Sequence, residues 1–540
     1  MLRLDPSASE CYAEALCLSN GWVTERVFRN QYLIAPESET GAGLPGWAEF
    51  RIAGLRFWHD PDLPSCQLYD ETGVLAGILC GVAIGPDDQV VRTSLMLPFR
   101  IAEARARDKF EEMLMDVRGR YVVLLALPKQ TLLYTDPVAD MGAVFDAEAC
   151  RVGLSVTLVL KRRLQRGSGV NRPNLIKGRT PLRAGFSPDA HIRRVLPNHR
   201  LNLKNFTLSR FWPRIAPKIA EDDAEQARIN TWIAQRLGQN IATLTSYAPS
   251  AIPISGGMDS RIILALAAAH GAAPTISFTH RTNWISGYDA ILGQQIAEYL
   301  GVPYRFLDAT SLLADPSWLE AAMLERWLAF ARSGFCRPVM GASTALALLM
   351  APDVKLILRG NVMEMLGGRF HESSSVNDLE TAFQLIWGRK PASEQERHHW
   401  QHAYCGWLAD LTPNLPEKTG LDLAFVELLY SHAMAVTLQS TPSAFYMNPF
   451  ADRRLIEATM RVPSATRRAG ALYNAVLAHG VDLPARQSPR KLGHHDNQGQ
   501  PLLARFLENR QPDLQHYIRQ KAPDLTGSII ADPAINRDIP

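Results

Sequence analysis

Short apolar strands alternate with helices between Ala224 and Leu358, and the first strand runs into the hexapeptide Ser-Gly-Gly-Met-Asp-Ser at residues 255–260. Strands joined through helices must lie parallel, so the pattern predicts a doubly wound sheet covered on both faces. It assigns helices to Ala224–Leu244, Arg261–His270 and Asp289–Leu300, and strands to Ala251–Ile254, Thr275–Thr279, Tyr304–Leu307 and Val354–Leu358. Ligands of such sheets bind at the carboxyl ends of the strands, where 255–260 falls. Gly256 and Gly257 let the backbone turn tightly and bring N–H groups toward an anion. The helix that follows aims its positive end at the same point. Ser255 and Ser260 add hydroxyl donors. A carboxylate among phosphate oxygens, Asp259, calls for a bridging divalent cation. No lysine follows in the Walker manner. A capped strand-to-helix turn uses similar residues, but the whole hexapeptide between a strand and a helix favours the anion cradle.

The first third is different. Phe50–His59, Arg120–Leu127 and Thr131–Asp136 read as strands separated by Pro, Gly and Asp turns, and Ile101–Val117 has helical spacing. This predicts an antiparallel α+β unit. Arg214–Gln226 turns polar and marks the boundary between domains 1–212 and 213–540. At 540 residues the chain has room for roughly two to four domains. Its 57 basic against 54 acidic residues argue against a dedicated nucleic-acid or membrane-surface binder. Seven cysteines without a C-x-x-C pair suit a reducing compartment. The N-terminus lacks signal-peptide character and no long uncharged apolar run occurs, so a soluble, cytoplasmic protein without a membrane span is expected. After about residue 370 the sequence reads as mostly helical.

The hexapeptide resembles the pyrophosphate-binding loop of N-type ATP pyrophosphatases, and further segments resemble the asparagine synthetase-like family in the expected order. These are Gly119–Phe145, Leu201–Trp212, Asn448–Pro463 and the late Arg-Lys-Leu-Gly at 490–493. The resemblance implies a degenerate glutaminase-type (Ntn-like) domain followed by an ATP pyrophosphatase synthetase domain with a helical C-terminal part. It implies ATP and Mg²⁺ as cofactors: a carboxylate is adenylated with release of pyrophosphate, and an amine then displaces AMP to form an amide. It further implies that Ile254, Ser255, Gly256, Gly257, Asp259, Ser260, Phe278 and Gly360 bind the nucleotide, that Asp259 holds metal, and that Lys491 supplies charge to the transition state, with a solvated surface charge as the alternative for Lys491; Glu364 either holds a second metal or is a helix-capping carboxylate.

The departures from the family are informative. Glutamine-hydrolysing relatives need an N-terminal cysteine, but position 2 is Leu2 and the nearest thiol is Cys11. The first domain is therefore expected to be non-catalytic, with Cys11 and Cys17 as buried structural thiols. The family's second ATP loop appears as Arg359–Gly368, with Met363 where a metal aspartate is expected and Gly360 at an acidic position of the aspartate-activating site. Phe445 and Met447 stand where acidic and Arg residues are usual. A chain that keeps the ATP machinery but has neither the ammonia source nor the polar groups that hold a small diacid follows the pattern of β-lactam synthetases and of lasso-peptide macrolactam synthetases. Arg261 after the motif and the apolar substitutions are most similar to the latter. That resemblance implies a peptide substrate, with a leader-processing protease as a possible partner. The competing readings are an ammonia-using amidotransferase acting on another carboxylate and an inactive nucleotide- or peptide-binding relative.

Two further constellations stand out. His398, His402 and Cys405 share a helix face with zinc-compatible spacing, although polar surface is the commoner meaning. Glu427 and Tyr430, one turn apart on a helix over Phe425–Leu438, resemble the Tyr–Glu pair that deprotonates the amine in β-lactam synthetases, with a structural pairing as the alternative. His494, His495 and Asp496 follow Lys491 as a polar loop that could line the mouth of the site.

Overall fold

The computed structural model describes residues 11–39, 41–167, 170, 182–336, 341–368, 370, 375–439, 441, 444–484 and 506. Lys491 and residues 490–496 lie outside the described residues. Among the described residues the protein is mixed α/β, with two largely antiparallel sheets and one parallel sheet.

The first sheet is antiparallel throughout, in the order β11 (Arg193–Arg194), β9 (Val144–Asp146), β10 (Arg151–Gly153), β1 (Tyr32–Pro36), β3 (Leu55–His59), β2 (Ala48–Ile52). The second has the order β13 (Thr207–Arg210), β12 (His199–Asn202), β8 (Gln130–Thr135), β7 (Arg118–Leu127), β5 (Leu75–Ile84), β4 (Ser65–Tyr69), β6 (Ser94–Met96). Its pairs are antiparallel except β4 with β6. Side chains alternate across β1: Tyr32 and Ile34 join the core shared with the second sheet. Leu33 and Ala35 pack with the helices Tyr12–Asn20 and Pro316–Arg332. Strands β5 and β7 are buried almost end to end, so both faces of the second sheet are covered. The segment Phe50–His59, expected as one strand, is a hairpin. Ala53 and Gly54 both take positive φ, +50° and +74°, and fold β2 onto β3.

The parallel sheet has the order β16 (Tyr304–Asp308), β15 (Ile276–Arg281), β14 (Ser250–Pro253), β17 (Leu356–Leu358), β18 (Phe445–Met447), with all neighbours parallel. Both faces are buried. Ile252, Leu356, Leu358, Phe445 and Met447 enter the main core, while Ala251, Ile357 and Tyr446 enter a second one with Trp318 and Leu346. The chain moves outward from β14 through β15 to β16 and then returns to the other side through β17. The order of connections thus reverses at β14, the kind of switch point where loops diverge and leave a crevice.

One core cluster continues from the antiparallel sheets into the parallel-sheet region. Arg453, wholly buried, ties them together. Its guanidinium donates to Asn198 Oδ1 at 3.1 Å, the Leu114 carbonyl at 3.3 Å, the Tyr121 hydroxyl at 3.2 Å and the Thr135 carbonyl at 3.0 Å. It also lies 4.9 Å from the Phe211 ring. The helix Lys418–Gln439 is long and apolar enough to cross a membrane, but 78% of its most apolar window is buried in the protein. Its acidic groups are neutralised internally, Asp422 by Arg467 at 2.8 Å and Glu427 by Arg210.

Removing a hydrogen-bonded charge from such a setting strands its acceptors and is costly. Arg453→Met should lower unfolding free energy by about 3 kcal/mol or more, and Arg453→Lys should not restore it, because a point charge cannot reach all four acceptors. Chemical denaturation checks this, and a loss under about 1 kcal/mol (a value typical of exposed pairs) would remove Arg453 from this role.

Candidate functional site

The strand β14 delivers its chain into residues 254–257, and the helix Met258–Ala269 begins directly after, with Gly257 at its N-cap in an extended conformation and no side chain capping it. The uncapped amino end is therefore shaped by the loop itself. Ser255 Oγ accepts from the Gly257 N–H at 3.1 Å, and Ser260 Oγ accepts from the Ser255 N–H at 3.1 Å. The two hydroxyl oxygens are 3.3 Å apart. Behind the loop, the Ile254 N–H donates to the Phe278 carbonyl at 2.8 Å, and Thr279 Oγ1 donates to the Ile254 carbonyl at 2.6 Å. Ile254 and Phe278 are both buried, with Phe278 in the core of the opposite face, so these two brace the loop through backbone pairing.

The Gly256 N–H donates to Asp289 Oδ1 at 2.9 Å. A carboxylate thus occupies the position in which a phosphate oxygen would accept the same N–H, and the turn already holds an anionic oxygen. The spacing of the sequence starts a helix at Asp289. The helix instead begins at Trp284, capped by Asn283 and Ser286 in a reciprocal pair, and Asp289 sits in its second turn facing the loop.

Gly360, just beyond β17, closes the other side. A Cβ there would stand 2.6 Å from the Asp259 Cβ, so only glycine allows this approach. Its role here is steric. The Tyr473 hydroxyl lies 2.9 Å from Asp259 Oδ1 and 2.9 Å from the Met363 carbonyl, linking the first loop to the second. Nothing in the sequence signals Tyr473. Met363 is buried, while Glu364 is half-buried in the short helix Met363–Gly367. Asp259 and Glu364 therefore come from the two loops that diverge at the switch point. Carboxylate oxygens are the ligand type Mg²⁺ takes, one or two from a protein with phosphate oxygens and water completing the shell. Among the described residues no group of three His, Cys, Asp or Glu side chains could hold a metal. His398, His402 and Cys405 are exposed along their helix without forming such a group.

Glu427 and Tyr430 are not brought together. Both lie in a π-helical turn, Phe425–Tyr430, inside a longer helix. Glu427 accepts two bonds from Arg210 at 2.8 Å each, one from Trp407 Nε1 at 2.7 Å and one from Asn198 at 3.0 Å. Burial pushes its carboxyl upward, but the Arg210 charge outweighs that and holds it below the usual carboxylate range. Tyr430 instead donates to Asp140 Oδ1 at 2.7 Å, across to the loop that follows β8. Burial, reinforced by Asp140 and Glu364, holds the Tyr430 phenol well above its usual value. Burial and the neighbouring Asp136 push Asp140 up to about 7.

Cys11 and Cys17 are buried, and burial raises both thiols, Cys17 to about 12. Neither has the exposed, low-pKa character of a nucleophile. No known protein family matches the chain, and no curated protein matches its sequence.

A depressed carboxyl stabilises the fold above the unfolded carboxylate range and loses that contribution as pH falls through its folded value. Glu427→Gln should therefore destabilise by about 3–5 kcal/mol at neutral pH and by less in acid. Thermal or urea unfolding across pH checks this. A stable variant defective only in turnover would return Glu427 to the chemistry.

Proposed function

We propose that the protein is an ATP-dependent, AMP-forming amide ligase that adenylates a carboxylate and closes an amide bond within a peptide, in the manner of a lasso-peptide macrolactam synthetase. The observation that carries the reading is the Ser255–Ser260 cradle at the switch point of a parallel sheet, with Asp259 pressed against Gly360 of the second loop. A reaction that leaves pyrophosphate needs such a grip on the two terminal phosphates. The backbone N–H groups of Gly256 and Gly257 and the hydroxyls of Ser255 and Ser260 would bind their oxygens, with Asp289 yielding the Gly256 N–H. Asp259, with Glu364 from the facing loop, would hold Mg²⁺, which when bound neutralises phosphate charge. Ile254 and Phe278 would fix the loop behind the nucleotide, and Lys491 would add positive charge as the oxyanion develops.

The first antiparallel region would serve this site without hydrolysing glutamine, since Cys11 and Cys17 are buried. The attacking amine would then belong to the substrate. The balanced charge of the chain and its reducing-type cysteines agree with a cytoplasmic enzyme acting on a ribosomal peptide.

Incubation with ATP, Mg²⁺ and linear peptides carrying a free amino terminus and one internal Asp or Glu should yield AMP, pyrophosphate and a product lighter by one water. Formation of ADP, or no carboxylate-dependent use of ATP, would refute the reading. Asp259→Asn should fold as the parent does and lose metal-dependent ATP binding and turnover. AMP production at the parent rate in that variant would sink the assignment of the loop.

Lys491 gives a separate test. A charge acting in the transition state should matter to kcat more than to binding. Lys491→Met should keep ATP affinity within a few-fold and lose about two to three decades in rate, as when a single preorganised contact is removed. Parent-like turnover would make Lys491 a solvated surface residue.

A further inference from the structure

The loop after β8 belongs to the antiparallel region, yet it packs against the helix Lys418–Gln439, and the neighbouring β7 touches β18. Tyr430 donates to Asp140, Gln439 Nε2 donates to the Ala139 carbonyl at 3.2 Å, and Arg120 donates to the Tyr446 carbonyl at 3.2 Å while lying 4.3 Å from the Phe445 ring. Arg359, the residue before Gly360, acts electrostatically on Asp140. The path from the cradle to Asp140 thus runs from Asp259 through the touching Gly360 to its neighbour Arg359. Asp140 is 0% exposed, and its Oδ2 has no hydrogen-bond partner among the described residues. Asn361 Oδ1 on the second loop, Arg120 Nε and Asn448 Nδ2 are buried and unpaired as well among the described residues. Such atoms are expensive to leave unpaired, and Asp140 Oδ2 is an acceptor.

We infer that Asp140, supplied by the antiparallel region and oriented by Tyr430, binds the attacking ammonium of the substrate and takes its proton. The inference rests on the ligase reading above and names the residue that prepares its nucleophile. An ammonium offers three donors, one of which suits the unpaired Asp140 Oδ2. One proton passes from the ammonium to the Asp140 carboxylate. The amine nitrogen then forms its bond to the adenylated carbonyl carbon, the bond from that carbon to the AMP oxygen breaks, and AMP leaves with the electron pair. The second nitrogen proton is released to solvent. The groups facing Asp140 are Asp136, Arg120 and Arg359 together with Tyr430, and Glu364 faces Tyr430 from the second loop. Asp136 is itself held by N–H groups of Val138, Asp140 and Met141 at 2.7–3.1 Å, which fixes the loop. A base must be ionised to act, so amide formation should rise with pH through about 7, the value to which Asp140 is pushed.

The test separates the two half-reactions, using the panel of linear peptides with a free amino terminus and one internal Asp or Glu. Asp140→Asn preserves the size of the side chain and its bond to Tyr430. It should retain carboxylate-dependent pyrophosphate exchange within about threefold, lose about 100-fold or more in macrolactam formation as expected for a general base, and lose the rise with pH. Hydroxylamine, largely unprotonated at neutral pH, should still trap the activated carboxyl in the variant at the parent rate. Tyr430→Phe should slow the same step by a smaller factor and leave exchange intact, which decides the matter if Asp140→Asn fails to fold. Macrolactam formation at the parent rate in Asp140→Asn, or equal loss of both half-reactions in folded variants, would overturn the inference and leave the ligase reading standing. No exchange in the parent protein with any peptide would take down both.

Discussion

A guanidinium buried where no water reaches it must find acceptors on every side, and Arg453 finds them on elements that are far apart in the chain. Its bonds to Leu114, Tyr121, Thr135 and Asn198 fasten the segment after β18 to the antiparallel sheets. Asn198 is shared, because its side-chain nitrogen also donates to Glu427, which Arg210 neutralises. These bonds tie the two regions together, and the loop carrying Asp136 and Asp140 meets the helix Lys418–Gln439 across the same junction. The candidate site thus depends on buried charge whose partners come from both regions.

Much of this is legible in the residues, and the parts that are not have physical reasons. Period and punctuation locate β14, β15, β16 and β17 and the helices that join the first three, because strands covered on both faces read as short apolar runs; the helices Pro316–Arg332 and Ala342–Leu349 between β16 and β17 go unassigned. The cradle is legible because glycines and hydroxyls in that order have few other uses between a strand and a helix. The hairpin at Ala53-Gly54 is hidden, since alanine rarely takes positive φ and gives no turn signal. Strand β18 escapes notice because Phe445–Met447 is three residues long and lies in a mostly helical stretch. Tyr473 and Asp289 act through tertiary approach, for which spacing carries no signal. Glu427 and Tyr430 suit a catalytic pair by spacing alone, but the π-helical turn and the neighbours on each side direct them to different partners.

The second loop shows how packing restricts chemistry. Gly360 cannot carry a side chain while Asp259 occupies its present place, so an acidic group could return there only if the loops moved apart. Met363 is buried, which leaves Glu364 as the acidic residue the loop presents on its half-buried side. Phe445 and Met447 are buried in the main core, so the apolar residues at these positions are accounted for by packing.

The central claim is that the carboxylate attacks the α-phosphorus of ATP, and the fate of its oxygen reports this most directly. With a peptide whose internal carboxyl is labelled with oxygen-18, the account predicts that one labelled oxygen appears in AMP for each amide formed. Label in inorganic phosphate, or unlabelled AMP alongside amide product, would contradict it.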